Sequence, residues 1–238
     1  MPKEEPPIGS PVFPEWTNKL RMIVLLAALV VPLYVVLMVA YGASTQTTDV
    51  GYAPEQPIPY SHALHAGDLG LDCRYCHTTV EVAAQAAVPP TQTCINCHSK
   101  GHGLRQESAK LVLLREAFYG SEQRPAGLPI PWVRVHDLPD YAYFNHSAHV
   151  RRGVGCVECH GRVDRMEVVY QAKPLSMSWC LACHRDPGPR LRPRDVSPTD
   201  MTWTPPAGAA GEYLARDPLK EYNIRSAEYL TSCSVCHR

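Results

Sequence analysis

The apolar positions of this chain are gathered in one place. Met22–Tyr41 is a run of 20 residues without a charge, inside RMIVLLAALVVPLYVVLMVAYG. A helix of that length crosses the hydrocarbon of a bilayer. The pattern therefore predicts a transmembrane helix over 21–42, kinked at Pro32 but still able to insert. Ala40-Tyr41-Gly42 would suit a signal-peptide cleavage site, but the apolar stretch is longer than a normal signal core. A fully buried helix of a water-soluble fold is the remaining competitor. Lys19 and Arg21 flank the N-terminal end, and the next basic residue is Arg74. The positive-inside rule then predicts a cytoplasmic tail, 1–20, and a domain, 43–238, on the periplasmic side of the inner membrane. Residues 1–16 hold five prolines, which predicts an extended, poorly ordered tail.

Beyond residue 42 the periodic signal is sparse. Ser108–Tyr119 (SAKLVLLREAFY) reads as a short helix closed by Gly120. No stretch alternates long enough to predict a sheet. Gly and Pro together make 38 of 238 residues, so turns dominate. The expected fold is mostly irregular, with short α-helices and one N-terminal transmembrane helix.

Charge removes one class of function. Lys+Arg is 23 and Asp+Glu is 23. A nucleic-acid binder needs a basic face to displace counterions, and this balance gives it no support.

Cysteine supplies the chemistry. All ten cysteines fall in Cys-x-x-Cys pairs: Cys73/Cys76, Cys94/Cys97, Cys156/Cys159, Cys180/Cys183 and Cys233/Cys236. Each pair is followed directly by a histidine: His77, His98, His160, His184 and His237. This is the attachment motif of haem c, in which both thiols bond the porphyrin edge and the histidine becomes the proximal iron ligand. A zinc site would need pairs of such motifs, and five in an exported chain with no spare cysteine argue against it. Five covalently attached haem c groups are expected. The 196 residues after Gly42 are too few to give each haem its own apolar pocket, so the porphyrins are expected to form much of the core.

The motifs sit in an internal repeat. Tyr60-Ser61-His62-Ala63-Leu64-His65 precedes the first motif, and Phe144-Asn145-His146-Ser147-Ala148-His149 precedes the third. Each unit continues to a second motif behind a proline-led segment. The domain divides into modules 60–102 and 144–184, with the fifth haem in 185–238. His62/His65 and His146/His149 are each three residues apart and so share one face of a helical turn. Two histidines on one face cannot both take the same iron from the same side, so they are expected to serve different haems. His136, in the aromatic segment WVRVHDLPDYAYFNH, is expected to complete the set of distal ligands. His102 and Met177 are the alternatives; His102, flanked by glycines, reads as a surface residue.

Arg outnumbers Lys, 17 to 6. Arginine forks match carboxylates, so some of Arg74, Arg134, Arg151, Arg152, Arg162, Arg185, Arg190, Arg192 and Arg194 are expected to hold haem propionates.

The HxxH-then-CxxCH modules resemble the class III multihaem cytochromes. The whole chain resembles the pentahaem cytochrome c subunit of alternative complex III, a quinol-oxidising membrane complex. The resemblance covers the N-terminal helix, both modules, the segments WVRVHDLPDYAYFNHSAHV and KPLSMSWCLACHR, and the last motif, TSCSVCHR. It implies that His62 ligates the haem of Cys73/Cys76, that His146 ligates the haem of Cys156/Cys159, and that His65 and His149 cross to other haems. It also implies partners: an iron–sulfur subunit, polytopic quinol-oxidising membrane subunits and a monohaem cytochrome. The function expected is relay of electrons from quinol oxidation to a periplasmic acceptor, with no catalytic centre in this chain. A self-sufficient anchored quinol dehydrogenase and a multihaem reductase are the competitors.

Overall fold

The computed structural model describes residues 14, 16–42, 44, 49–204 and 217–238. The expectation of an extended tail over 1–16 falls almost wholly outside them. The chain divides into two compact units, Met1–Thr48 and Asp49–Arg238.

In the first unit, helix α1 spans Trp16–Gly42 and runs unbroken through Pro32. It begins earlier than the apolar run because Thr17 closes a turn on the Pro14 carbonyl, with its N–H at 2.9 Å and its hydroxyl at 2.6 Å. A polar first turn adds no apolar signal, so the pattern places the start too late. None of its side chains is buried, and it is long and apolar enough to cross a membrane.

The second unit is built of short helices. Helices α2 (Cys73–Cys76), α3 (Thr91–His98), α6 (Cys156–His160), α7 (Met177–Arg185) and α10 (Cys233–Cys236) each carry one Cys-x-x-Cys motif. Between them lie α4 (Val112–Tyr119), α5 (His146–Val150), α8 (Pro218–Glu221) and α9 (Ala227–Leu230). The expected helix at 108–119 is present in two parts, a 3₁₀ turn at Ala109–Leu111 and then α4. Gly120 ends it with φ 82°, a left-handed conformation that glycine takes without a Cβ clash. The two HxxH segments differ: His146–Val150 is α-helical, whereas Ala63–Asp68 winds as a π-helical turn. No strand occurs among the described residues, only one antiparallel bridge, Val154 to Leu191.

The apolar core is small. Nine apolar side chains are buried among the described residues. Five of them, Ile58, Ile95, Leu114, Ala117 and Ile130, form one cluster where α3 meets α4. Against that, Tyr52, Leu64, Leu71, Tyr75, Val82 and Val88 in the same unit stand exposed. The polypeptide alone does not bury enough to supply the core of a domain this size.

The two modules are joined through their first halves. The Ala63 N–H donates to the Met166 carbonyl at 3.0 Å, while the His146 and Ser147 N–H groups donate to Ala84 and Ala83 at 3.0 and 3.1 Å.

Candidate haem-attachment sites

The repeat seen in the sequence is also a repeat of ring geometry. Tyr60 meets His62 edge-on at 4.8 Å and 86°, and stacks on His65 at 4.4 Å and 22°. Phe144 meets His146 edge-on at 4.7 Å and 86°, and stacks on His149 at 4.6 Å and 27°. One aromatic ring two residues before the first histidine thus fixes both imidazoles of each pair. Its equal offset in the two modules is the signal by which the sequence marks it.

Each second histidine is also tied to the chain. His65 Nδ1–H donates to the Ser61 carbonyl, and His149 Nδ1–H to the Asn145 carbonyl, both at 2.8 Å. Four of the five motif histidines follow the same rule. Nδ1 of His77, His98, His184 and His237 faces the carbonyls of Ala87, Leu104, Leu230 and Tyr141 at 2.8, 3.2, 2.9 and 3.0 Å. His146 Nδ1 faces the Ala84 carbonyl at 3.0 Å. A carbonyl only accepts, so the proton sits on Nδ1 and the Nε2 lone pair is left free, the arrangement of metal-ligating histidines.

Three histidine pairs face each other across similar gaps. Ring centroids are 6.2 Å apart for His65 and His98, 6.4 Å for His146 and His160, and 6.2 Å for His149 and His184. His62 lies near His77, and burial, with His77 and His65 as lesser causes, lowers it to about 4. Burial likewise lowers His160 to about 3, helped by His136, His146, His77 and His62 nearby. These rings are therefore neutral imidazoles at neutral pH, the form that binds a metal.

His136 stands edge-on to His160, with centroids 4.5 Å apart, and its Nε2 is buried without a partner. Its ring is not against His237; the aromatic ring beside His237 is Tyr141, 6.0 Å away and 28° from parallel. His102 is exposed, and Met177 is 68% exposed.

Neighbouring attachment cysteines link the motifs out of sequence order. Burial raises Cys76 and Cys94, with Cys97 adding to Cys76 and Cys76 to Cys94. Cys73 and Cys156 lie side by side, a contact that lowers the first and raises the second. Burial pushes Cys159 up to about 12, with Cys183 and Cys180 near it, and burial raises Cys180 with Cys236 next to it. The order in space is second motif, first, third, fourth, fifth.

A strap from the C-terminal extension holds the middle of this series. Pro198 accepts from the Cys156 N–H at 2.9 Å, and Thr199 Oγ1 donates to Asp72 Oδ2 at 3.0 Å. Asp72 caps α2 by accepting from the Arg74 N–H and also takes the Arg74 fork. Several of the arginines considered for propionates are spent on the chain's own carboxylates: Arg74 on Asp72 and Glu81, Arg134 on Asp137, Arg162 on Asp164, Arg190 on Glu158, and Arg194 on Glu221.

The residues fit covalently bound haem. Every motif pairs two free thiols with a histidine, most of these imidazoles are held through Nδ1, the buried Nε2 of His136 lacks a partner, and apolar surface lies unburied around them. Fold and sites together define a multihaem c-type cytochrome, a protein of electron transport. No family model matches the chain. It is 32% identical over 188 residues, 77% of each chain, to the multihaem cytochrome c subunit of a menaquinone reductase from Nitratidesulfovibrio vulgaris, and it belongs to the family of that subunit.

Proposed function

We propose that the chain is a membrane-anchored pentahaem cytochrome c that relays electrons between quinol chemistry in partner membrane subunits and a periplasmic acceptor. The partners fit the pattern of alternative complex III: an iron–sulfur subunit, polytopic quinol-oxidising subunits and a monohaem cytochrome. The relative's role in a menaquinone reductase supports the link to quinone. Helix α1 anchors the chain in the inner membrane, and the charge at Lys19 and Arg21 supports a periplasmic haem domain.

The observation that carries this reading is the spacing of the histidine pairs. Two imidazoles that would hold one metal ion between them, each through a bond of about 2.0–2.1 Å, would have ring centroids about 6.3 Å apart. His65/His98, His146/His160 and His149/His184 have that separation. By the module repeat, His62 is the partner of His77. A haem held between these histidines would supply a one-electron couple and would need no substrate site. In this reading the cysteines fix each porphyrin, the Nδ1 carbonyl bonds set ring orientation, and the series of attachment sites has the second and fifth motifs as its ends.

A second reading keeps support from one place. The ring beside His237 is Tyr141, while His136 lies against His160. An open fifth iron would suit an anchored quinol dehydrogenase. Purification in mild detergent tests both: the relay requires co-purifying quinol-oxidising subunits, whereas reduction of the isolated chain by quinol would overturn it in favour of the dehydrogenase.

A further inference from the structure

We infer that Arg192 is a potential-setting residue, a buried guanidinium paired with no carboxylate among the described residues and built against the third motif, that raises the reduction potential of the haem held there. The inference rests on haem attachment at Cys156 and Cys159.

Arg192 is 0% exposed, the most deeply buried charged side chain among the described residues. Its environment differs from that of the other forks in the molecule. Arg74 places Nε and Nη2 on the Asp72 carboxylate at 2.9 and 2.9 Å, and Arg162 places the same two nitrogens on Asp164 at 2.8 and 2.6 Å. The Nε and Nη2 of Arg192 are buried with no partner among the described residues of the polypeptide. Only Nη1 is used, donating to the Ser197 carbonyl at 2.7 Å. The guanidinium lies over the Trp203 ring, 5.2 Å from its centroid.

The backbone brings this cation to the motif. The Arg192 N–H donates to the Gly153 carbonyl at 2.8 Å, and Leu191 bridges Val154. Gly155, the residue before Cys156, is where the guanidinium rests: a Cβ there would fall on Nε, Cζ and Nη2. Cys156 is close enough for Arg192 to favour its charged form. Asp200 is close enough for Arg192 to favour its charged form, and its carboxylate is already bonded to the Thr202 hydroxyl and N–H at 2.7 and 2.8 Å and to the Trp203 N–H at 3.2 Å.

A guanidinium keeps its charge at every accessible pH. Uptake of one electron lowers the charge of the iron site by one, so a fixed positive charge beside it favours the reduced form. Burial removes the water and salt that would screen that charge. At about 10 Å and an effective dielectric of about 20, the Coulomb interaction changes the reduced-to-oxidised ratio by on the order of tenfold.

The test is a spectroelectrochemical titration of the full holoprotein, with haem content counted by mass. Arg192→Gln should keep five haems, one per motif, and move one one-electron step to lower potential by about tenfold in that ratio, which is about 59 mV. Arg192→Lys should leave the step near its wild-type position, and Asp200→Asn should move the same step upward. Arg192→Gln and Arg192→Lys titrating alike, or Asp200→Asn moving the step downward or not at all, would overturn the inference. If Arg192→Gln loses haem, the Lys and Asn variants still decide the sign. Fewer than five haems in the wild type would instead count against the pentahaem reading itself.

Discussion

The rings of His149 and His184 stand 6.2 Å apart and 22° from parallel, although His149 precedes the third motif and His184 belongs to the fourth. His146, three residues earlier, faces His160 of the third motif instead. One helical turn, α5, thus reaches two attachment sites. His65 does the same in the first module by facing His98.

The first prediction follows from this crossing. His149→Ala should open the iron at Cys180/Cys183 and leave the one at Cys156/Cys159 closed; His65→Ala should open the iron at Cys94/Cys97. Each variant should gain one high-spin, carbon monoxide-binding haem, and the double variant two. The check is a carbon monoxide difference spectrum against total haem. Two newly opened haems from a single variant would contradict the one-to-one pairing.

The second concerns the aromatic ring that orients each pair. Tyr60 and Phe144 hold equivalent positions with matching geometry. Tyr60→Phe should therefore cost less than about 0.5 kcal/mol and leave the spectra unchanged. Phe144→Ala removes the stack on His149 and should cost about 3 kcal/mol. Thermal unfolding of the two variants, followed at the haem band, separates them.

Much of this was legible in the sequence, and what was not has more than one cause. The five motifs, the module repeat, the apolar helix and the Gly120 stop are local patterns. Thr199 bonding Asp72 is a contact across 127 residues, and no period in the chain announces it. The arginines illustrate a different limit, because composition does not choose among possible carboxylates. Composition tied their excess to propionates, yet Arg74 and Arg162 turn to acids two residues away. The π-helical turn at Ala63–Asp68 was equally hidden, because HxxH spacing fits an α-helix just as well.

The third prediction tests the strap. Asp72 caps α2, takes the Arg74 fork and accepts from Thr199, and the Arg74 hydrogen bond is the main cause holding it near 2. The carboxyl is part-exposed, so Asp72→Ala should cost about 1 kcal/mol after allowing for screening. Its folded value lies below the ordinary 3.8, so its stabilisation is complete above that pH and disappears as pH falls toward 2. Wild type and Asp72→Ala should therefore differ in melting temperature at pH 6 and converge near pH 2. A constant difference across that window would assign the loss to packing instead.

The last prediction concerns the end of the series. The fifth motif hangs on Cys233–Cys236, and Cys236 lies beside Cys180 of the fourth. Its histidine is held by the Tyr141 carbonyl at 3.0 Å, and the Tyr143 N–H donates to the Cys236 carbonyl at 2.6 Å. Both anchors come from the segment between the modules, so the motif is fixed to the body of the domain and is not a loose tail. His237→Ala should leave the other four motifs, with their own cysteines and histidines, fully loaded and reducible by dithionite. Quinol-driven reduction of the acceptor by the assembled complex should fall by at least tenfold. Turnover at the wild-type rate in an assembled complex would make the fifth haem a bystander and break the linear order.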